Sequence, residues 1–310
     1  MSTLLLTHPA CLDHDTGRHH PERPARLRAV MEALEAEEFM ALIRVEAPLA
    51  TEEQILRVHT RDLFETVKDA IPREGSIAHL DPDTAVSHGS WDAILRAAGA
   101  AVAAVDAVAK GEVRNAFCAV RPPGHHAERD GAMGFCLFNN IAIGALHARA
   151  VHGLKRIAVF DFDVHHGNGT QDIFYNDADL LYASTHQFGA YPGTGAARET
   201  GVAGNVVNVP CPPGCASGPW RDVVRETILP AIAAFQPELI MISAGFDAHA
   251  ADPLANMRLV AEDFHWVTAE LWSLARRVCN DRIVSTLEGG YDLDALAQSA
   301  AAHVRGLMGA

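Results

Sequence analysis

Residues 160–169 read FDFDVHHGNG, two carboxylates, two imidazoles and a Gly-bounded asparagine at the end of an apolar run. The run itself, Arg156-Ile157-Ala158-Val159-Phe160, is short, apolar and partly β-branched, the pattern of a buried strand. An unpartnered carboxylate is very costly to bury, so Asp161 and Asp163 need cations or hydrogen-bond donors. Strand alternation carried through the stretch places Asp161, Asp163 and His165 on one side and Phe160, Phe162 and Val164 on the other. So much converging polarity at one strand end points to a metal ion, with further ligands supplied from elsewhere in the chain.

Working outward, apolar runs at 3–8, 41–45, 115–120, 156–161, 180–185, 205–209, 239–244 and 282–287 read as strands. Helical patterns alternate with most of them, at 25–37, 51–58, 90–110, 140–152, 222–235, 261–278 and 292–308. Thr51-Glu52-Glu53-Gln54 has the form of a capping box, and Gly111 after Lys110 reads as a helix stop. Strands alternating with helices predict an α/β fold, a parallel sheet with helices on both faces. No linker, repeat or low-complexity tract interrupts the pattern, which predicts a single domain over 1–310.

Ligands bind such a sheet at the carboxyl ends of its strands. Five ends carry His, Asp, Tyr or Gly-rich turns. RPPGHH at 121–126 and GFCLFNN at 134–140 follow one, and FDFDVHHGNG closes the next. STHQFGAYPGTG at 184–195, AGFDAHAADP at 244–253 and EGGYD at 288–292 complete the set.

Composition narrows the class. The 310 residues are 49% hydrophobic and 21% charged, as in a compact soluble protein. A formal charge of −14, from 39 acids against 25 bases, argues against a nucleic-acid partner. No charge-free apolar run is long enough to span a bilayer, and Met1–Leu6 lacks the basic start of a signal peptide. Of six scattered cysteines, Cys118 and Cys136 read as buried thiols and Cys211-Pro-Pro-Gly-Cys215, off the usual metal-clip spacing, reads as a loop, which fits a reducing, cytoplasmic location.

Asp163 and His165 at one strand end and Asp247 at another form a three-ligand set. A catalytic zinc commonly keeps three protein ligands and leaves a position to water or substrate. It lowers the pKa of that water to about 7, making a nucleophile at neutral pH. Two carboxylates and one imidazole favour Zn²⁺ and leave Fe²⁺ and Mn²⁺ open. His125-His126 follows the rigid turn Pro122-Pro123-Gly124 and suits proton work, with Asp161 placed to orient one ring. Tyr291, after Gly289-Gly290, offers a hydroxyl to a developing oxyanion. Phe135 and Tyr191 lie in Gly-rich turns at the same end and offer walls for an aliphatic chain.

RPPGHH, GFCLFNN, DFDVHHGNGTQ, YPGTG, NVVNVP, AGFDAH and LEGGYD, in that order, resemble the zinc-dependent histone deacetylase family, in its class II-like branch of deacetylase-like amidohydrolases. HHPERPARL near the start resembles the family's first-loop segment, so the matches run from about residue 8 to residue 292. The resemblance implies an arginase/deacetylase-like three-layer fold with a central eight-stranded parallel sheet. It implies one zinc per chain on Asp163, His165 and Asp247. His126 would be general base and acid, with His125, paired to Asp161, as its electrostatic partner. Tyr291 would polarise the acyl carbonyl and stabilise the oxyanion, and the Gly134 carbonyl would accept the amide N–H. Phe135 and Tyr191 would line the tunnel, with Arg26 and Cys136 toward an inner cavity where acetate leaves. A structural potassium would use the Asp161, Asp163 and His165 carbonyls with Ser184, and a second would lie near Phe174. Two positions depart from many relatives: Asn168 replaces an acid beside His126, and Tyr191 replaces a phenylalanine.

The expected function is metal-dependent removal of acetyl or other short acyl groups from N-acylated primary amines, acyl-lysine side chains first among them. The alternative, an acetylpolyamine amidohydrolase, shares every catalytic motif. A ureohydrolase on the same fold would need further bridging carboxylates for two manganese ions, whereas the acids here serve one site. A silent metal-binding protein would need none of His125, His126 and Tyr291. By motif alignment Leu254 stands where a polyamine-selective relative places an acid, and an apolar gate favours acyl-lysine, with the loops at 13–22 and 77–83 as the alternative sources of such an acid. The expected partner is an acylated lysine peptide or a small acylated amine, with no nucleic acid and no membrane. The oligomeric state stays open, a homo-oligomer included.

Overall fold

The computed structural model describes residues 2–309, so Met1 and Ala310 of the expected 1–310 domain lie outside the described residues. Ten strands form among them. In chain order they are β1 (Thr3–Thr7), β2 (Ile43–Glu46), β3 (Ile77–His79), β4 (Ala85–Ser87) and β5 (Asn115–Cys118). They continue as β6 (Ile157–Asp161), β7 (Leu180–Gln187), β8 (Val206–Cys211), β9 (Leu239–Ala244) and β10 (Ile283–Leu287). Eight of them build one sheet in the order β2-β1-β5-β10-β9-β6-β7-β8. Every pair in that sheet is parallel.

All eight sheet strands fall on the expected runs. β5, β6, β7, β9 and β10 are buried at every position, as a parallel sheet covered on both faces requires. These five are also consecutive across the sheet. The five strand ends that carry the polar motifs are therefore neighbours on one rim. Topology alone gathers them.

The helices pack in pairs. Ser90–Ala109 lies against Asn140–His152, and Ala261–Val278 lies against Leu293–Met308, which also meets Pro24–Ala33. Side chains cap the starts of two of them, Asn139 accepting from Ala142 N at 3.0 Å and Asp292 from Ala295 N at 2.9 Å. The capping box at Thr51 is present, and Gly111 takes the left-handed conformation just past the long helix, at φ +73°. No helix among the described residues is long and apolar enough to cross a membrane.

The differences are local. The first helix stops at Ala33, and a short 3₁₀ turn, Glu37–Phe39, takes over the end of the expected 25–37 segment. The helix expected at 222–235 starts earlier, at Ser217, despite Gly218 and Pro219, because proline is tolerated in a first turn. Arg61–Asp69 and Asn168–Phe174 are helices, and β3 and β4 pair as a small antiparallel hairpin, none of them expected. Each is short, and the apolar face of Arg61–Asp69 is only Leu63, Phe64 and Val67.

Candidate active site

β6 ends at Asp161, and the chain then turns on its own carboxylates. Asp161 Oδ1 accepts the Asp163 N–H at 3.1 Å, and Asp163 Oδ1 accepts the His165 N–H at 2.9 Å. These are turns in which an aspartate bonds the backbone two residues on. Asp161, Asp163 and His165 do converge, but strand alternation beyond Asp161 is not the reason; successive side-chain-to-backbone bonds are.

Asp247 arrives from the end of β9 and accepts the Val164 N–H on Oδ1 at 2.8 Å. Its Oδ2 lies 3.0 Å from His165 Nδ1, and Asp163 Oδ1 lies 3.1 Å from that same nitrogen. Gly289, after β10, donates its N–H to Asp163 Oδ2 at 2.8 Å. A Cβ at Gly289 would collide with the Asp163 and Asp247 carboxylates, so only glycine allows this approach.

Asp163 and Asp247 are buried, and among the described residues no Lys or Arg pairs with either. Burial, and then the charge of Asp163, push the Asp247 carboxyl up to about 7. Against the pull of burial, hydrogen bonds to both carboxylates hold His165 up at about 10. Such a set of two anionic oxygens and one imidazole nitrogen calls for a cation. Their ligand atoms all lie within 4.8 Å of one another, so these three residues fit one divalent ion.

The two histidines after β5 differ in environment. His125 Nδ1 lies 2.9 Å from Asp161 Oδ2, which also accepts from the Tyr182 hydroxyl at 3.1 Å. Burial lowers the His125 pKa, but Asp161 and Asp163 outweigh it and lift it to about 10. His126 moves the other way, well below the usual histidine value, through burial and the neighbouring His125 and His165. Its Nδ1 lies 2.8 Å from Asn168 Oδ1. Asn168 donates through Nδ2 to Glu128 at 2.7 Å, so Oδ1 is the atom left facing the ring. His126 must therefore donate its Nδ1–H, which leaves the lone pair on Nε2.

A cavity of about 210 Å³ opens over this group. His126, His165, Gly134 and Tyr291 line it, with Phe135, Tyr191 and Leu254 from the surrounding loops. Tyr191 and Leu254 are 39% and 40% exposed and mark the mouth, whereas Tyr291 is buried. Gly134 has φ +58°, and a Cβ there would sit 2.6 Å from the His126 ring. Its carbonyl is met at 3.3 Å by the Cys136 thiol. The Arg26 guanidinium stacks 4.8 Å above the Tyr291 ring and is held by the Gly290 and Glu288 carbonyls at 2.5 Å each. Burial pushes the Tyr291 pKa well above its usual value, so the phenol keeps its proton. Ser184 stands opposite Asp161 in the β6–β7 register. Near Phe174, the carbonyls of Phe174, Asp177 and Leu180 all accept from the Asn205 side-chain amide, at 3.0, 3.1 and 3.0 Å.

Two site residues, Glu288 and Asp252, were given no role by the sequence, and two others, Glu22 and Asp83, end loops named there as alternative sources of an acid. Glu288, fully buried, accepts the Gly124 and His125 N–H groups at 2.7 and 3.1 Å and so anchors the double-histidine turn. Glu22 bridges Arg121, at 2.5 and 2.6 Å, and Arg26, at 3.1 Å. Against burial, the Arg121 charge holds Glu22 down at about 2. Asp252 accepts the Tyr291 N–H at 2.7 Å. Asp83, beside the unexpected hairpin, lines the cavity itself.

Residues 20–307 match the family model described as the histone deacetylase domain. The chain is 40% identical to histone deacetylase 14, chloroplastic, of Arabidopsis thaliana, covering 99% of this chain and 77% of that protein. It is 41% identical to a histone deacetylase-like amidohydrolase of Pseudomonas aeruginosa, covering 88% of this chain and 72% of that protein. A crystal structure of the HDA15 HD domain superposes with a TM-score of 0.93 at 35% identity, covering 100% of this chain and 89% of that one. The motifs, the eight-stranded parallel sheet and these similarities agree: the chain belongs to the histone deacetylase family of deacetylases and amidohydrolases.

Proposed function

We propose that this chain is a metal-dependent amidohydrolase that removes acetyl or another short acyl group from acylated lysine side chains. The observation that carries the reading is one cavity lined by His126, His165 and Tyr291 together. Asp163, His165 and Asp247 would hold the divalent ion, and their donor set favours zinc. When bound, the ion supplies Lewis acidity and lowers the pKa of water.

The remaining chemistry belongs to the chain's own residues. His126 Nε2, with its lone pair free, takes the proton of the attacking water and returns it to the leaving amine. His125, protonated against Asp161, places positive charge beside the reacting centre. The Tyr291 hydroxyl donates to the oxyanion as the carbonyl carbon becomes tetrahedral. The Gly134 carbonyl accepts the substrate amide N–H, while Phe135 and Tyr191 flank the aliphatic chain and exclude water. Ser184, beside Asp161, supports a potassium site under the metal loop. The Asn205 amide already meets the carbonyls near Phe174, which argues against a second one.

Acetylpolyamines are the second reading, and Asp83 is the observation that favours them, because it brings a carboxylate to the cavity wall. That carboxylate is drawn back onto its own loop, however. Thr84 donates to it at 3.3 Å, and burial and Asp81 push its pKa up. At the mouth, Leu254 offers nothing to a second ammonium. Wild-type protein should therefore turn over acyl-lysine peptides more efficiently than acetylspermidine or acetylputrescine. Leu254→Glu adds a contact of about 1.5–3 kcal/mol, enough to move kcat/KM toward the polyamines by roughly 10- to 100-fold. Better turnover of acetylpolyamines than of every acyl-lysine peptide by the wild-type protein would establish the second reading.

A further inference from the structure

Asp106, near the end of the helix Ser90–Ala109, faces the last turns of Asn140–His152 across the seam between them. Its Oδ1 lies 2.7 Å from His147 Nε2 and 2.6 Å from His152 Nε2. Among the described residues, only this trio and the Asp163, His165, Asp247 set bring three ligand atoms within 4.8 Å of one another. The two groups are built alike. In the active site one imidazole nitrogen stands between two carboxylates, at 3.1 and 3.0 Å, and here one carboxylate oxygen stands between two imidazoles. None of the three lines the active cavity.

We propose that Asp106, His147 and His152 bind a second divalent cation, zinc by the chemistry of the donors. Two imidazole nitrogens and a carboxylate oxygen make a recognised three-ligand zinc set, with the fourth position left to water. Access for that water exists, because the Asp106 and His152 side chains are 34% and 13% exposed while His147 is buried at 5%. Both helices deliver their carboxyl ends here. Asp106 lies in the last turn before the Lys110 cap, and His152 is the last helical residue before Gly153. Helix carboxyl ends carry partial negative charge and favour a cation. The ion would pin the two helices together at the edge of the sheet's helical layer.

One neighbour opposes it. Arg57 Nη1 lies 2.9 Å from His147 Nδ1, where a ligating imidazole needs an acceptor for its other N–H. Arg57 is also paired with Glu53 at 2.8 Å. Cation binding must displace Arg57, and this gives the proposal a sign that a plain hydrogen-bonded seam does not share. Removing Arg57 should tighten binding.

The test uses the full chain with the active-site ligands replaced, Asp163→Ala with Asp247→Ala, stripped by chelator and titrated calorimetrically with Zn²⁺. One ion per chain should bind, with Co²⁺ giving a tetrahedral visible spectrum. His152→Ala in that background should weaken binding by more than about tenfold, and Arg57→Ala should strengthen it. Should the silenced chain not fold, the wild-type ion content should fall from two to one on His152→Ala, with hydrolytic activity retained. No ion in the silenced chain, a wild-type content of one, or binding indifferent to His152→Ala would overturn the proposal.

Discussion

His126→Ala lowers kcat by about 10²–10⁴, the span of a lost general acid–base group, and leaves metal content unchanged. On the proposed mechanism two roles vanish together, proton acceptor from water and proton donor to the leaving amine. The loss is specific to Nε2, because Asn168 fixes the Nδ1–H tautomer at 2.8 Å. His126→Gln keeps a polar group in the same place but cannot shuttle a proton, so it should be equally slow. Steady-state kinetics on an acetyl-lysine peptide, with metal analysis of each variant, check the result. A His126 variant within a few-fold of wild type would move the proton work to His125.

Tyr291→Phe is the second large effect, a fall in kcat of about 10²–10³, as for one oxyanion donor removed. The substitution deletes a single oxygen from a ring already packed against Phe135, 5.9 Å between centroids, and under Arg26. Packing therefore survives while the donor does not. KM should change little, since the hydroxyl bonds most strongly to a charge that exists only in the transition state. Near wild-type kcat would leave Tyr291 as a packing residue.

The central sheet was legible because its strands are apolar runs separated by helical periodicity, and because every ligand-bearing motif follows one of them. Asp163, His165 and Asp247 could be grouped for a similar reason: a carboxylate in an apolar context needs a partner, and two strand ends of a parallel sheet share a rim. What the residues did not reveal was how the DFDVH turn is held, because side-chain-to-backbone bonds from Asp161 and Asp163 mimic alternation in one dimension. Glu288 was hidden in plain view, as the first residue after β10 within a motif whose glycines and tyrosine drew the attention. Its role depends on Gly124 and His125, 164 and 163 residues away in the chain, and no local pattern encodes that distance. The loop at 77–83 was legible as a source of an acid, but the hairpin that brings Asp83 to the cavity was not, because its strands are too short to carry a strand signal.

The central claim is that Asp163, His165 and Asp247 hold the ion on which hydrolysis depends. The most direct measurement compares wild type and Asp247→Ala for bound Zn²⁺ and for turnover of an acetyl-lysine peptide, before and after chelation. Wild type should lose activity on chelation and regain it with Zn²⁺. Asp247→Ala should hold one ion fewer per chain and stay inactive after Zn²⁺ is returned. Hydrolysis at the wild-type rate by Asp247→Ala, or by fully stripped wild-type protein, would contradict the account.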